Sequence, residues 1–256
     1  MKHERAANEL MEMRVAKRAV PKLPADLFPE TQDDAYRIQD ALVARLVEAY
    51  HGRIIGYKIA ATNETAQKQL NVTAPFCGRL LSHSTHCSGA TLTAANFNHR
   101  IIEPEFGFRI GADVPPSEAP YTRDTIAPYI AAIIPAIEVV DHRYTDWTTV
   151  GAPSLIADNA IHGAWIEGED VSDCRDVDLA THATKLIVNG ETVRTGSGAA
   201  VLGHPLNVVA WLANVRPLRA GDKITTGTTT AVYFANPGDR ITADFGAFGA
   251  ASVSFS

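Results

Sequence analysis

The stretch "RIIEPEFGFRIG", residues 100–111, constrains this chain most tightly. Successive side chains in a strand point to opposite faces, so Glu103 and Glu105 share one face while Ile102, Pro104, Phe106, Phe108 and Ile110 form the other. So continuous an apolar face belongs against a core. Gly107 and Arg109 continue the acidic face, which predicts open space beside the acids and one cation further along. Pro104 has no N–H for a ladder, which predicts a sheet edge or a bulge there. Polar residues on a half-solvated strand give the same pattern, so the pair alone assigns no function.

A third acid changes its weight. In "IAAIIPAIEVVDHRY", Glu138 is the one charged residue between Asp124 and Asp141, and Ile137 and Val139 flank it. An ionised carboxylate in such a run is costly unless it is paired or coordinates a metal. One expectation is an ion pair with Arg143 or Arg109. The other is a hard divalent cation shared with Glu103 and Glu105, which three acids in two apolar strands favour. Ligation by oxygen alone selects Mg²⁺ or Mn²⁺ over zinc. Cys77, His83, His86 and Cys87 offer softer ligands, but their spacing matches no common zinc pattern, and Leu80 and Leu81 between them read as core.

Around these strands, residues 4–18 read as a helix. Thr31 and Asp34 at capping-box spacing start a second, whose stripe is Ala35, Ile38, Leu42 and Leu46. From residue 53 short strands take over. "RIIGYKIA" puts Lys58 on the face of Gly56, with room beside it, and a short helix capped by Thr62 or Asn63 follows. A buried strand is expected before Asp141 with a boundary at Pro135, and Asp141, His142 and Arg143 read as a solvated turn. Asn189-Gly190 suits a type I′ hairpin, and Pro205 opens one further helix. The expectation is an α+β chain, with a helical segment over 1–52 packed on a mostly antiparallel β domain over 53–256.

Composition narrows the function classes. With 46% apolar residues the 256-residue chain can fill a core, and a net charge of −6 argues against a nucleic-acid or anionic-membrane partner. No stretch approaches the roughly 20 apolar residues of a membrane span. The first twenty residues lack the apolar core of a secretory signal, so the cytoplasm is expected, and three cysteines, an odd number, suggest reduced thiols. Neither a Gly-x-Ser-x-Gly elbow nor a P-loop occurs.

"GYKIAATNETAQKQLNV", "EPEFGFRIG", "PAIEVVDHRYTDW", "IADNA", "GAAVLGHPLNVVAWLAN" and "PGDRITADFG", in this order, resemble the 2-keto-4-pentenoate hydratase and 2-oxo-3-hexenedioate decarboxylase group of the fumarylacetoacetate hydrolase superfamily. The resemblance implies a mixed β-sandwich roll with an N-terminal helical region, a metal held by three acids, and a small 2-oxo acid substrate. It also implies a homo-oligomer, one that can associate with another enzyme of its pathway. Glu103, Glu105 and Glu138 match the metal ligands, Mg²⁺ foremost and Mn²⁺ as the alternative. Lys58 matches the lysine of a Gly-Trp-Lys stretch, with Tyr57 in place of tryptophan, and is expected to transfer a proton or hold the substrate carboxylate; burial would lower its pKa. His162 is a second proton-transfer candidate. Asn159, Thr226, Gly227 and Thr228 are expected at the substrate. Two departures fall near the reaction site: Phe76 and Cys77 stand where the hydratases often carry an acid and an aromatic, and Ile161 and His162 follow Asp158-Asn159-Ala160 in place of serines.

The implied activity is hydration of a short 2-hydroxydienoate to a 4-hydroxy-2-oxo acid, a step in aromatic catabolism. Its rivals are decarboxylation of a 2-oxo-enedioate and carbon–carbon hydrolysis of an acylpyruvate. A non-catalytic partner subunit or small-acid-binding protein is the alternative from another class. A decarboxylase needs a cation for the second carboxylate of its substrate, for which Arg79, Arg109 and Lys185 are available.

Overall fold

The computed structural model describes residues 1–172 and 177–256, which leaves Cys174 outside the described residues. Helix α1 (Lys2–Ala16) buries Ala6, Ala7, Leu10 and Met13, and α2 (Gln32–Ala49) buries the expected stripe of Ala35, Ile38, Leu42 and Leu46. Thr31 Oγ1 accepts the Asp34 amide at 3.1 Å, satisfying one orphan donor of α2. Gln39 lies among the buried residues of α2 and ties it to its neighbours, donating to the carbonyls of Cys77 at 2.9 Å and Ile156 at 2.8 Å.

Strands begin at Ile54. In chain order the elements are β1 (Ile54–Ala60), α3 (Glu64–Leu70), β2 (Phe76–Leu81), β3 (Thr85–Cys87), β4 (Ala90–Leu92), β5 (Ile101–Ile110), α4 (Arg123–Ile126), β6 (Ile130–Val140), α5 (Ala152–Ala157), β7 (His162–Glu167), β8 (Ala183–Val188), β9 (Glu191–Ser197), α6 (Pro205–Val215), β10 (Lys223–Thr225), β11 (Tyr233–Phe234), β12 (Arg240–Asp244) and β13 (Ala250–Phe255). One sheet runs β2-β1-β10-β5-β6-β7-β3, with β11 also on β5; the other runs β4-β13-β12-β8-β9. The pairs β1–β10, β3–β7 and β4–β13 are parallel and the remainder antiparallel, a mixed pattern as the resemblance implied. The sheets sandwich one core, in which Ile102, Phe106 and Phe108 meet Leu186, Ile241 and Phe255. A second core lies under α1, α2 and α5. The apolar window Gly198–Val215 is no continuous span: α6 covers eleven residues of it, and Val208, Val209 and Leu212 are buried in the sandwich.

Both strand prolines sit where a neighbouring strand is missing. On the β10/β11 side of β5 the ladder is open at Pro104, whose carbonyl accepts the Thr229 amide at 2.8 Å from the connecting loop. This local gap, in a strand otherwise flanked on both sides, meets the expectation of an edge. Pro135 does not end its strand as expected; β6 runs through it. Its carbonyl accepts the Gly168 amide at 2.8 Å just beyond the end of β7, so its missing N–H falls outside the β7 ladder.

The room expected beside Gly56 is taken by backbone. A methyl group there would lie 1.8 Å from the Lys223 carbonyl oxygen across the parallel ladder to β10. Gly56→Ala is therefore expected to cost about 1–3 kcal/mol, read as a lower urea midpoint; an unchanged midpoint would contradict this packing.

Candidate active site

The register between β5 and β6 builds the site. Glu103 stands opposite Glu138, and Glu105 opposite Ala136. Opposed residues of an antiparallel pair project to the same face, so the two acids of β5 acquire a third beside them. One carboxylate oxygen from each of Glu103, Glu105 and Glu138 lies within 4.8 Å of the other two. Like charges so placed repel, and Glu105 and Glu138 are fully buried. Both oxygens of Glu105 lack a hydrogen-bond partner. An all-oxygen donor set with buried, unsatisfied lone pairs fits a hard divalent cation.

The partners of Glu138 are neither Arg143 nor Arg109. Lys58 Nζ lies 3.1 Å from Glu138 Oε2 and donates to the Ala160 carbonyl at 3.0 Å. His162 Nδ1 lies 3.0 Å from Glu138 Oε1, with Nε2 3.3 Å from Ser84 Oγ. Burial pushes the Glu138 carboxyl up, but Lys58 and His162 together outweigh it and hold it below the usual carboxylate range. Burial would likewise pull Lys58 down, as expected from sequence; Glu138, Glu103 and Glu105 reverse that and hold it protonated. Burial, and then the charge of Glu138, push Glu103 up to about 7. Glu105 is raised well above the usual range by burial, Glu138 and Glu103. Burial lowers His162 against the pull of Glu138.

A strained turn supplies these partners. Asn159, Ala160 and Ile161 take φ of 54°, 49° and 54°, three successive left-handed residues without a glycine. Each costs on the order of 1 kcal/mol. Asn159 brackets the backbone of Arg79, accepting its amide at 2.7 Å and donating to its carbonyl at 3.0 Å. Gly78 lets β2 pass, since a methyl group there would lie 2.5 Å from the Asn159 carbonyl.

Beside the acids opens a cavity of about 750 Å³. Lys58, Glu103, Gly227 and Thr228 line it, and Phe76, Trp147, Ile161 and Phe234 are among its apolar walls. Gly227 has φ of 94°, and a methyl group there would strike Thr62 Oγ1. Five expected site residues do not line it: Glu105 and Glu138, buried in the acid cluster, and Asn159, Thr226 and His162. Asn159 is spent on Arg79, Thr226 Oγ1 donates to the Phe106 carbonyl at 2.7 Å, and His162 stands behind Glu138. Gly107 offers no open space either, because Trp165, opposite Glu138 on β7, packs where its side chain would be. Arg109 turns away to Asp170 at 2.6 Å.

Asp141, His142 and Arg143 form no solvated turn: all three are buried, and Arg143 joins Asp141 to Asp158. The Cys77–Cys87 segment disperses its candidate zinc ligands; Cys77 Sγ lies 3.7 Å from the Tyr36 hydroxyl, His83 stacks on Tyr50, and Cys87 is exposed. Sequence reading missed Ser84, Asp158 and the Ala160 carbonyl. Only the "IADNA" stretch pointed to the latter two, and nothing in it announced left-handed backbone.

The fold and site together define a sandwich-roll protein with a carboxylate-lined centre opening into a mostly apolar cavity. Residues 49–255 match the fumarylacetoacetate (FAA) hydrolase C-terminal family, and the chain belongs to it. It is 32% identical to a 2-keto-4-pentenoate hydratase of Paraburkholderia xenovorans (strain LB400), over 98% of this chain and 94% of that one. With a 4-oxalocrotonate decarboxylase of Pseudomonas putida it shares 36% identity over 89% of this chain and 87% of that one. The solved structure of 4-oxalocrotonate decarboxylase from Pseudomonas putida G7, complexed with magnesium and adipate, superposes with a TM-score of 0.91 at 31% identity, covering 99% of this chain and 97% of its own.

Because Glu103 and Glu105 are raised, the metal-free folded state holds protons that the unfolded chain releases. The site's contribution to stability therefore falls as pH rises through about 7. A divalent cation has to displace those protons, so its affinity should improve by about tenfold or more per pH unit below that point, where Glu103 is protonated, and go on rising above it while Glu105 holds its proton. Calorimetric titration with Mg²⁺ between pH 5.5 and 8.5 reads this directly; a pH-independent affinity would contradict it.

Proposed function

We propose that this chain is a metal-dependent hydratase that converts a short 2-hydroxy-2,4-dienoate into a 4-hydroxy-2-oxo acid. One observation carries the choice: among the described residues lining the cavity, Lys58 is the only lysine or arginine. A 2-oxo-enedioate brings a second carboxylate, which needs a second cation there. Arg109 is committed to Asp170, the Arg79 guanidinium lies over the Tyr57 ring at 4.3 Å, and Lys185 is exposed on the other sheet. An uncharged substrate tail suits the apolar wall. The similarity to decarboxylases keeps decarboxylation as the second reading.

Glu103, Glu105 and Glu138 would hold the cation, with Mg²⁺ the ion that the all-carboxylate set favours. When bound, it supplies Lewis acidity that offsets negative charge developing on the 2-oxo oxygen of a 2-oxo acid. Lys58, kept protonated by the carboxylates, acts as an acid. It delivers a proton to C5 of 2-hydroxypenta-2,4-dienoate while the enol proton passes to solvent, which gives 2-oxopent-3-enoate, and Lys58 takes a proton back from solvent before the next turnover. Water then adds oxygen at C4 and a proton at C3. His162 keeps Glu138 ionised and oriented from behind, and the Gly227-Thr228 turn contacts the substrate. The reading includes a homo-oligomer working in the cytoplasm, in keeping with a small acid substrate and with Phe234 left exposed at the cavity wall.

Product analysis with Mg²⁺ tests the choice. Hydration of 2-hydroxypenta-2,4-dienoate should exceed decarboxylation of 2-oxo-3-hexenedioate by on the order of 100-fold in kcat/KM; the reverse order would establish the decarboxylase. Lys58→Met should lower kcat by about 100-fold or more, and steady-state rates near those of the wild type would remove Lys58 from proton transfer.

A further inference from the structure

The partners of the acid cluster are themselves held from the N-terminal helix. Arg14, in the last turn of α1, reaches the turn formed by residues 158–162. Its Nη2 donates to the Asp158 carbonyl at 2.9 Å and to Asp158 Oδ1 at 2.8 Å, and its Nη1 donates to the His162 carbonyl at 3.2 Å. A single planar group thus bridges the first and last residues of a turn whose three middle residues are all left-handed. The Arg14 side chain is only 14% exposed and Asp158 is fully buried. Arg143 takes the other Asp158 oxygen, at 2.7 Å, and reaches Asp141 at 3.0 Å. Two guanidinium groups and two carboxylates therefore balance in a cluster largely closed to water.

The bridged turn carries the supports of the site. Its Ala160 carbonyl accepts from Lys58 Nζ, Ile161 forms part of the cavity wall, and His162 Nδ1 lies against Glu138 Oε1. Left-handed residues other than glycine persist only where their surroundings over-determine them. Within the turn, two backbone hydrogen bonds close it, from Ile161 N to the Asp158 carbonyl at 3.0 Å and from His162 N to the Asn159 carbonyl. The Arg14 fork adds fixed points at both ends.

We infer that Arg14 is a positioning residue of the metal centre: its guanidinium clamps residues 158–162 so that Ala160 and His162 hold Lys58 and Glu138 in place. The inference rests on reading Glu103, Glu105 and Glu138 as a cation site. It makes α1, which lies outside the family match over 49–255, part of the working site. It also demands arginine, because lysine is a point charge and cannot span two carbonyls and a carboxylate oxygen in fixed directions.

Calorimetric titration of the full chain with Mn²⁺ tests it, using wild type, Arg14→Lys and Arg14→Met, with Arg5→Ala as the control because Arg5 meets Asp26 at the surface of α1. Both Arg14 variants should bind Mn²⁺ on the order of 10- to 100-fold more weakly, the usual penalty for losing an outer partner of a metal site. Arg14→Lys should resemble Arg14→Met, kcat should fall more than KM changes, and Arg5→Ala should match wild type. Arg14→Lys keeps the charge beside Asp158 and remains the test if Arg14→Met fails to fold. Variants that melt earlier but bind Mn²⁺ within twofold of wild type would overturn the inference, leaving Arg14 a structural tie alone. A wild type that takes up no Mn²⁺ would overturn the cation-site reading and this inference with it.

Discussion

The arrangement depends on one cross-strand pair. Glu103 of β5 faces Glu138 of β6 in a long antiparallel ladder, with Glu105 two residues along on the same face. A slip of one residue in that register would turn Glu138 into the core and bring Ile137 or Val139 to the acids. The sandwich prevents the slip, because the opposite face of β5 carries Ile102, Phe106 and Phe108, which fit only the space between the sheets. Core packing on one face therefore holds together on the other three carboxyl groups that repel one another when ionised; burial and this repulsion are why Glu103 and Glu105 are raised.

That repulsion organises what surrounds it. Lys58 approaches Glu138 from β1 and His162 from β7, so two further strands of the same sheet answer the charge at its centre. Their positions depend on the left-handed turn at 159–161, and the turn depends on Asp158 and its two arginines. Close backbone approaches at Gly78 and Gly227 leave no slack around this chain of contacts. The cavity beyond is mostly apolar, and Lys58, the one lysine or arginine among its described lining residues, is paired with Glu138. Such a site suits a small acid gripped at its charged end, with chemistry on the carbon chain that follows.

Periodicity reveals elements and faces because it is local. The α2 stripe, the Thr31 cap, the Asn189-Gly190 turn and the same-face placement of Glu103 and Glu105 each follow from spacing within one element, and each stands in the structure. Where a local rule met a non-local partner, it misled. Pro135 lies inside a strand because the neighbouring strand stops beside it, and Arg143 is buried because Asp158 and Asp141 are there to receive it. The glycines at 56 and 107 look like open space in sequence, but Lys223 and Trp165 fill that space from other strands.

The sequence by itself determined the α+β character, the two faces of the Glu103 strand, the three acids, Lys58 and the family resemblance, since residue type and spacing carry all of these. Tertiary structure alone decided which charge answers which. Glu138 is paired with Lys58 and His162 while Arg109 and Arg143 serve elsewhere, and Arg14 reaches a turn 144 residues further along the chain. The physical reason is that an ion pair in a buried site is chosen by where strand register and helix docking place the side chains, and neither is written in the spacing of any single element.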